Sequence, residues 1–252
     1  MRTESAFNVD LLKVRIFQNQ PTMAKAAATA TADYLNSILS KQKSATAIFA
    51  SAASQIQFLS ELTSLTVDWS RITLFHMDEY LGIEETHPAS FRRFLKEHLI
   101  NVVKPLAYNL INGDALEPIS ECERYASLLK AQPIDLCCLG IGENGHIAFN
   151  DPPVANFNDP YTVKIVKLDE ACRRQQVGEG AFPNISAVPQ YAITLTIPAL
   201  MSAKCMICVC PEKRKAAAVK STLQGDIKCP ASILRTHKNA TLFLDADSAS
   251  KL

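Results

Sequence analysis

The sequence predicts an α/β protein with a largely parallel sheet and helices on both of its faces, and three observations lead to this prediction. Short apolar segments typical of buried strands alternate with helical segments from one end of the chain to the other. Residues 134–139 are apolar except for Asp135, which is typical of a strand covered on both sides. Hydrophobic residues make up 48% of the 252 residues, which is enough for a sizeable core.

Helices and strands are assigned from apolar patterning and from residues that start or stop them. Pro21, Pro88 and Pro118 stand at the starts of three predicted helices, where the missing N–H has no helical partner to lose. The predicted helices cover residues 21–43, 54–65, 88–103, 118–130 and 212–224. The predicted strands cover residues 45–50, 71–76, 134–139, 162–168, 192–197, 205–210 and 241–244.

The chain is predicted to form a single domain over residues 1–252. It contains no internal repeat, low-complexity tract or linker-like stretch. Residues 152–188 combine Pro, Asn and Gly with few periodic apolar positions. We therefore expect this segment to form a mobile flap inserted in the domain.

Composition and charge exclude several classes of protein. The 26 Lys and Arg residues nearly balance the 25 Asp and Glu residues, which argues against a strongly basic nucleic-acid binder. No apolar run reaches about 18 residues, and the N-terminus lacks the pattern of a secretory signal, so neither membrane insertion nor secretion is expected. The sequence predicts a cytoplasmic protein and leaves open whether it forms a homo-oligomer.

The eight cysteines fit buried, reduced thiols better than a disulfide framework, because several of them lie in apolar strand-like runs. The spacing of Cys205, Cys208 and Cys210 superficially suggests a metal site. In a strand, however, Cys205 and Cys208 point to opposite faces, and no second Cys/His pair follows at zinc-site spacing. We therefore predict no metal.

Polar residues cluster directly after four predicted strands, at residues 51–55, 77–80, 140–151 and 211–215. Only 8 glycines occur in the chain, and three of them, Gly140, Gly142 and Gly145, fall in the third cluster. Ligands of open α/β sheets bind beyond the carboxyl ends of the strands. This arrangement predicts a small-molecule site at that edge.

The residue types in these clusters favour an anionic, hydroxylated ligand. The hydroxyls and backbone amides around Ser51 and Ser54 are suited to a phosphate, and Lys215 adds a positive charge. Asp78 and Glu79 suit proton transfer, or the binding of hydroxyl and amino groups. His146 and Asp151 are five residues apart and could form an oriented acid/base pair.

Each of these residues also has a structural interpretation. Asp78 and Glu79 are typical of turn caps, and serines often begin helices. His146 after a glycine-rich turn could serve only as a hydrogen-bonding residue, and Lys215 in a run of charges is typical of a solvated helix face. Their shared position at one sheet edge favours the functional interpretation.

Two motifs resemble those of the glucosamine-6-phosphate deaminase (isomerase) family: FHMDEYLGI at residues 75–83 and LGIGENGHIAFNDP at residues 139–152. The resemblance extends to ECERYASLL, VPQYAITLTIPAL and EKRKAAAVKSTLQG, and so to most of residues 20–245. It implies a three-layer, mostly parallel Rossmann-like sheet. It also implies conversion of an amino-sugar phosphate and water into a ketose phosphate and ammonia, without a cofactor.

The resemblance implies a role for individual residues. Asp78 matches the base that moves a proton between C2 and C1, and His146 matches the imidazole that opens the sugar ring. Asp151 occupies the place of a supporting carboxylate that is usually Glu, and Asn144 a place that is either Asp or Asn. Lys215 matches a lysine that binds phosphate.

The chain departs from the family pattern in its phosphate loop and in its flap. The family loop usually resembles P-T-G-G-T-P, whereas residues 50–55 contain no glycine, so the shape of the loop must differ. The flap normally supplies an arginine to the ligand; Arg173 and Arg174 lie near that position, and Gln176 is an alternative. The predicted substrate-binding residues are Ser51, Ser54, Gln55, Glu79, Gly142, Arg173 and Lys215.

Three functions remain open from the sequence. The leading one is deamination and isomerisation of glucosamine 6-phosphate, or of a close analogue such as galactosamine 6-phosphate. The second is a 6-phosphogluconolactonase-type hydrolase, although those relatives usually carry Arg in place of Tyr80 and lack the HIAFN run. The third is a non-catalytic sugar-phosphate sensor, which the presence of both Asp78 and His146 disfavours.

Overall fold

The computed structural model describes residues 4–252, which form eleven strands and eight α-helices. The strands are β1 (Glu4–Val9), β2 (Leu12–Phe17), β3 (Ala45–Phe49), β4 (Ile72–His76), β5 (Asp78–Tyr80), β6 (Ala107–Asn109), β7 (Leu136–Leu139), β8 (Val163–Lys167), β9 (Tyr191–Leu195), β10 (Cys205–Cys210) and β11 (Ala240–Asp245). The α-helices are α1 (Gln20–Leu39), α2 (Ile56–Thr63), α3 (Phe91–Leu95), α4 (Asn101–Val103), α5 (Pro118–Lys130), α6 (Glu170–Gly178), α7 (Ile197–Met201) and α8 (Ala216–Gln224). Short 3-10 segments cover Ala53–Gln55, Trp69–Arg71, Ile185–Ala187, Lys213–Lys215 and Pro230–Thr236, and a π-helical turn covers Lys96–Ile100.

The main sheet has eight strands in the order β1-β2-β11-β10-β7-β3-β4-β6. Every neighbouring pair is parallel except the β1–β2 hairpin. Helices α1 and α2 pack on one face, and α5, α7 and α8 pack on the other. The predicted fold class, a mostly parallel three-layer α/β sheet with helices on both faces, is confirmed.

Side-chain alternation along the central strands explains why both faces are apolar. In β10, Met206, Cys208 and Cys210 belong to one core, and Cys205, Ile207 and Val209 belong to the other. Cys205 and Cys208 therefore lie on opposite faces of the sheet, as predicted. All eight cysteines are free and buried.

The two predicted strands at 162–168 and 192–197 exist, as β8 and β9, but they do not join the parallel sheet. They form a separate antiparallel sheet with β5, in the order β5-β9-β8. Patterning finds a strand but not its partner, because pairing is set by distant parts of the chain. The small sheet matters for the site because β5 begins at Asp78.

Several element boundaries differ from the predictions, and the predictions do not include α6, α7, β6 or the β1–β2 hairpin. Helix α1 ends at Leu39 rather than at residue 43, and the helix predicted from Pro88 begins at Phe91, with Ser90 as its N-cap. The β1–β2 hairpin was not predicted, because β1 is exposed along nearly its whole length and carries no inward apolar pattern. Residues 152–188, the predicted flap, contain β8 and α6; their mobility stays a prediction.

No helix within residues 4–252 combines the length and the apolar character needed to cross a membrane.

Candidate active site

The four polar clusters follow four adjacent strands of the main sheet, in the order β10, β7, β3 and β4. Their loops meet beyond the carboxyl ends of the strands and surround one small cavity of about 60 Å³. Residues predicted from the sequence that line it are Ser51, Ser54, Gln55, Asp78, Gly142, His146 and Lys215. A candidate base, an imidazole and a cation therefore face a common space.

Asp78 is the candidate base of this cavity. It lies where the chain leaves β4 and begins β5, and only 6% of its surface is exposed. Burial raises the pKa of its carboxyl well above the usual value, and the nearby Glu79 and Asp151 carboxylates raise it further. A hydrogen bond from the backbone N–H of Phe149 lowers this pKa, but by less than the other effects raise it. An elevated pKa makes this carboxylate a stronger base once it is ionised.

His146 is held by two neighbours through one ring nitrogen. Its Nδ1 lies 3.0 Å from Asp151 Oδ1 and 2.8 Å from Asn144 Oδ1, and Asn144 Nδ2 donates to the same Asp151 oxygen at 3.0 Å. Burial acts to raise the pKa of Asp151, but hydrogen bonding and charge from His146, with help from Asn144, hold that pKa below its usual value. With Nδ1 occupied, Nε2 is the nitrogen left for a ligand.

Asn144 and Asp151 themselves do not line the cavity. Sequence reasoning grouped them with the catalytic residues, whereas their contacts are those of residues that orient the imidazole.

Gly142 lies directly beneath the imidazole. Its backbone N–H donates to the carbonyl of His146 at 2.9 Å, which closes the glycine-rich turn. A Cβ at residue 142 would lie 2.1–2.4 Å from three atoms of the His146 ring. Glycine is therefore required here for close approach rather than for an unusual backbone angle.

Lys215 supplies the positive charge of the cavity. Its residue is only 3% exposed, and no carboxylate of residues 4–252 lies within 4.0 Å of its ammonium group. A buried lysine without a carboxylate partner is costly, which makes it a candidate for binding an anionic ligand. Its position directly after β10 matches the prediction.

The loop between β3 and α2 carries Ser51, Ser54 and Gln55. The Gln55 side chain is buried, and its Nε2 donates to the Val209 carbonyl at 3.0 Å and to Ser54 Oγ at 3.3 Å. The Gln55 side chain thus connects the loop to β10. A loop rich in glycine would instead take its shape from the conformational freedom of its backbone. The two serine hydroxyls remain next to the cavity.

Glu79, a predicted substrate-binding residue, does not line the cavity. Successive side chains of β5 point to opposite sides, so Glu79 turns away from the cavity that Asp78 faces. It is fully buried, and its carboxylate accepts hydrogen bonds at 2.8–3.1 Å from four groups. The donors are the backbone N–H groups of Tyr80, Phe91 and Arg92 and the hydroxyl of Ser90. Glu79 therefore anchors the start of α3.

Arg173, a predicted substrate-binding residue, does not line the cavity either. Its Nη2 donates to the carbonyls of Ile185 at 2.6 Å and Val188 at 3.0 Å, outside the cavity. Arg174 is exposed and pairs with Glu170. Flap helix α6 instead turns Gln175 and Gln176 toward the cavity.

The sequence already names Gln176 as an alternative, and helical spacing also identifies Gln175. Cys172, Gln175 and Gln176 share one face of α6, at i, i+3 and i+4, and all three are buried. Phe91 and Phe149 add an apolar wall to the cavity. Phe91 carried no functional signal in the sequence, since aromatic residues at helix starts usually pack in the core.

One nitrogen, one oxygen and one sulfur of His146, Asp151 and Cys172 lie within 4.8 Å of one another. Metals bind the thiolate form of cysteine, and burial raises the pKa of the Cys172 thiol well above its usual value. The His146 and Asp151 atoms are already paired with each other. This grouping therefore fits an oriented imidazole better than a metal centre.

A sequence model of the family described as glucosamine-6-phosphate isomerases/6-phosphogluconolactonase matches residues 18–243. A glucosamine-6-phosphate deaminase of Bacillus cereus strain B4264 is 35% identical over 218 residues, which are 86% of this chain and 81% of the relative. A glucosamine-6-phosphate deaminase of Bacillus anthracis strain A0248 matches with the same identity and coverage.

Solved structures show the same fold. A monomeric glucosamine-6-phosphate deaminase superposes with a TM-score of 0.87 at 29% identity, over 95% of this chain and 99% of the other. A 6-phosphogluconolactonase from Thermotoga maritima superposes with a TM-score of 0.76 at 18% identity, over 92% of this chain and 98% of the other, which is evidence for the fold alone. The chain belongs to the glucosamine-6-phosphate isomerase/6-phosphogluconolactonase family.

Proposed function

We propose that the chain is an enzyme that converts an amino-sugar phosphate and water into a ketose phosphate and ammonia, as glucosamine 6-phosphate into fructose 6-phosphate. The observation that carries this proposal is that Asp78, His146 and Lys215 line one cavity. A base, a proton-exchanging imidazole and an anion-binding cation are the groups that this reaction requires. The 35% identity to deaminases supports the same choice.

The reaction begins with the cyclic sugar phosphate held through its phosphate by Lys215 and the serine hydroxyls. Nε2 of His146 exchanges a proton with the ring oxygen, and the ring opens to the linear aldehyde. The Asn144 and Asp151 contacts at Nδ1 keep the imidazole in one orientation. Binding energy from the phosphate orients the reacting carbons.

Asp78 then transfers hydrogen along the open chain. Its carboxylate removes the proton from C2 and returns it to C1, while one proton of the amino group ends on O1. An iminium is left at C2. Water adds to C2, ammonia leaves, and the ketone forms, so one water is consumed and one ammonia is released. One carboxylate suffices because C1 and C2 are adjacent.

No observation of the structure favours either of the two alternatives, a 6-phosphogluconolactonase-type hydrolase or a non-catalytic sensor. The 6-phosphogluconolactonase structures share 15–18% identity with this chain and therefore bear on its fold only. A sensor would need a site for the anion but no catalytic base. Asp78 is a buried carboxylate whose pKa is raised, and the His146 imidazole that lines the same cavity is oriented by Asp151, which favours catalysis over binding alone. Hydrolysis of a lactone and mere binding are therefore second to deamination.

The cytoplasm is the proposed compartment. The eight buried, unpaired thiols support it, because disulfides predominate in oxidising compartments. A sugar phosphate is the proposed small-molecule partner, no cofactor is proposed, and whether copies of the chain associate stays open.

Ammonia release from a panel of amino sugars tests the proposal. The panel contains glucosamine 6-phosphate, galactosamine 6-phosphate and unphosphorylated glucosamine, and 6-phosphogluconolactone is assayed separately for hydrolysis. We expect ammonia from at least one phosphorylated amino sugar and far less from glucosamine. Lactone hydrolysis without ammonia release would overturn the proposal.

A further inference from the structure

The turn that leads to Lys215 contains a residue in a strained backbone conformation. Glu212, directly before the 3-10 segment Lys213–Lys215, has a φ of 82° and a ψ of 140°. Glycine adopts a positive φ of this kind at little cost, whereas a residue with a Cβ keeps it only when neighbouring groups enforce it. The Lys215 N–H donates to the Glu212 carbonyl at 3.0 Å, so the conformation of Glu212 sets where the backbone of Lys215 lies.

The Asp245 carboxylate, at the end of β11, is the group that enforces this conformation. The Glu212 N–H donates to both of its oxygens at 3.2 Å. Strands β10 and β11 are parallel neighbours, with Cys210 opposite Leu244, so Asp245 lies beside the turn that follows β10. A carboxylate is a stronger acceptor for a backbone N–H than a neutral oxygen is.

Asp245 is buried without a cation. It is 4% exposed, and none of the salt bridges within residues 4–252 involves it. Besides the Glu212 N–H, its carboxylate accepts from the Ser248 N–H, which lies 2.8 Å from Oδ1. An unpaired buried charge is costly unless hydrogen bonds compensate for it. The carboxylate is therefore stabilised by the backbone of two turns, the one at Glu212 and the one at Ser248.

We propose that Asp245 is a positioning residue that directs the Lys215 ammonium group into the cavity by holding Glu212 at a positive φ. The proposal rests on the proposed function, in which Lys215 binds the phosphate of the substrate. Asp245 does not line the cavity, so it acts on the ligand only through the turn. Without its carboxylate, Glu212 relaxes to a negative φ and the backbone of Lys215 shifts, which displaces the ammonium group from the anion.

Asp245→Asn is the decisive variant because it keeps the volume of the side chain. The amide oxygen is expected in the place of Oδ1, where it accepts from Ser248, and the amide NH2 then faces the Glu212 N–H, donor against donor. We expect KM for glucosamine 6-phosphate to rise at least about fivefold, with a smaller change in kcat.

Ser248→Ala is the matched control for this variant. It removes a hydroxyl that accepts from the Asp245 N–H at 3.1 Å and donates to the Asp245 carbonyl at 3.2 Å, but it leaves Glu212 untouched. We expect it to lower the melting temperature and to leave KM within twofold of the wild type. An equal rise in KM for the two variants would mean that general destabilisation explains the effect, which would refute the proposal.

Titration with inorganic phosphate measures the effect without turnover. Asp245→Asn also removes a negative charge near an anion site, and that change alone would tighten the binding of phosphate. Positioning of Lys215 predicts the opposite sign, with a dissociation constant at least about fivefold higher by calorimetry. Unchanged or tighter binding of phosphate by the variant would refute the proposal.

Glu212→Gly tests whether the effect passes through the turn. Glycine takes the same backbone conformation without support, so in this background Asp245→Asn should raise KM by less than about twofold. Glu212→Ala loses the same side-chain contact with Arg214 but keeps the strain, so there Asp245→Asn should keep its full effect. An equal effect of Asp245→Asn in the two backgrounds would refute the role of the turn.

The outcomes separate this proposal from the function on which it rests. A wild-type chain that releases no ammonia from any phosphorylated amino sugar would refute the function, and the phosphate titration would still test the role of Asp245. An active wild type whose Asp245→Asn variant keeps KM within twofold would refute only the positioning role.

Discussion

The imidazole ring of His146 occupies the space in which residue 142 would carry its Cβ atom, since a Cβ there would lie 2.1–2.4 Å from the ring. Gly142→Ala must therefore displace the imidazole from Asn144 and Asp151. We expect kcat to fall at least about tenfold, because small misplacements of a reacting group are costly. Steady-state ammonia release measures the effect.

A glycine-to-alanine change with no such contact is the control for this prediction. A Cβ at Gly178, near the end of α6, would have no atom within 4 Å. We expect Gly178→Ala to keep kcat and to stabilise the helix slightly. Equal kcat values for the two variants would show that the close approach of Gly142 to His146 has no role in turnover.

Asp78→Asn should raise the thermal stability of the protein near neutral pH. Burial raises the pKa of Asp78 in the folded state, so the folded chain binds this proton more tightly than the unfolded chain. The free energy of unfolding then decreases as the pH rises from about 3.9, the unfolded value, to the folded value, and it stays lower above that. Asparagine does not ionise, so the variant does not lose this part of the free energy of unfolding as the pH rises.

Thermal melts of wild type and Asp78→Asn between pH 4 and pH 8 measure the difference. We expect the melting temperature of the variant to exceed that of the wild type at pH 8 by a few degrees, with the gap narrowing toward pH 4. A gap that widened as the pH fell would contradict the raised pKa.

The acid limb of the pH–rate profile should reflect the same carboxyl group. Asp78 must be ionised to remove the C2 proton, so kcat/KM should fall as the pH drops through its raised pKa. We expect the midpoint of this limb to lie clearly above 4. A profile that stayed flat down to pH 4 would mean that a group of ordinary pKa, or none, serves as the base.

Much of the fold followed from local patterns. The largely apolar runs of β3, β7 and β10 indicate a buried parallel sheet, and the polar clusters after them indicate the ligand edge. Gly142 was found because the chain uses so few glycines. These signals are short-range, so they could be recognised without knowledge of tertiary contacts.

What could not be predicted depends on distant partners. Nothing in the sequence around Glu79 shows that residues 90–92 will donate to its carboxylate, or that Asp78 and Glu79 will sit on a strand that separates their side chains. In the same way, the sequence does not show that the Arg173 guanidinium will donate to the carbonyls of Ile185 and Val188 instead of lining the cavity. Residue type alone therefore does not predict which way either side chain points.

Lys215→Ala should weaken binding of phosphorylated sugars selectively. The buried ammonium is free of carboxylate partners within residues 4–252, so its charge is available to an anion. We expect KM for the phosphorylated substrate to rise at least about tenfold, with a smaller change for an unphosphorylated analogue. Lys213→Ala, an exposed lysine two residues earlier, is the matched control. Equal effects on both sugars would argue against a phosphate contact.

The most direct measurement of the central claim compares wild type with Asp78→Asn on glucosamine 6-phosphate, recording ammonia, fructose 6-phosphate and ligand affinity together. For the wild type we expect ammonia and fructose 6-phosphate in equal amounts. For Asp78→Asn we expect turnover to fall at least about 100-fold while calorimetry still detects binding of the sugar phosphate. Turnover of Asp78→Asn within a few-fold of the wild type would contradict the assignment of Asp78 as the base.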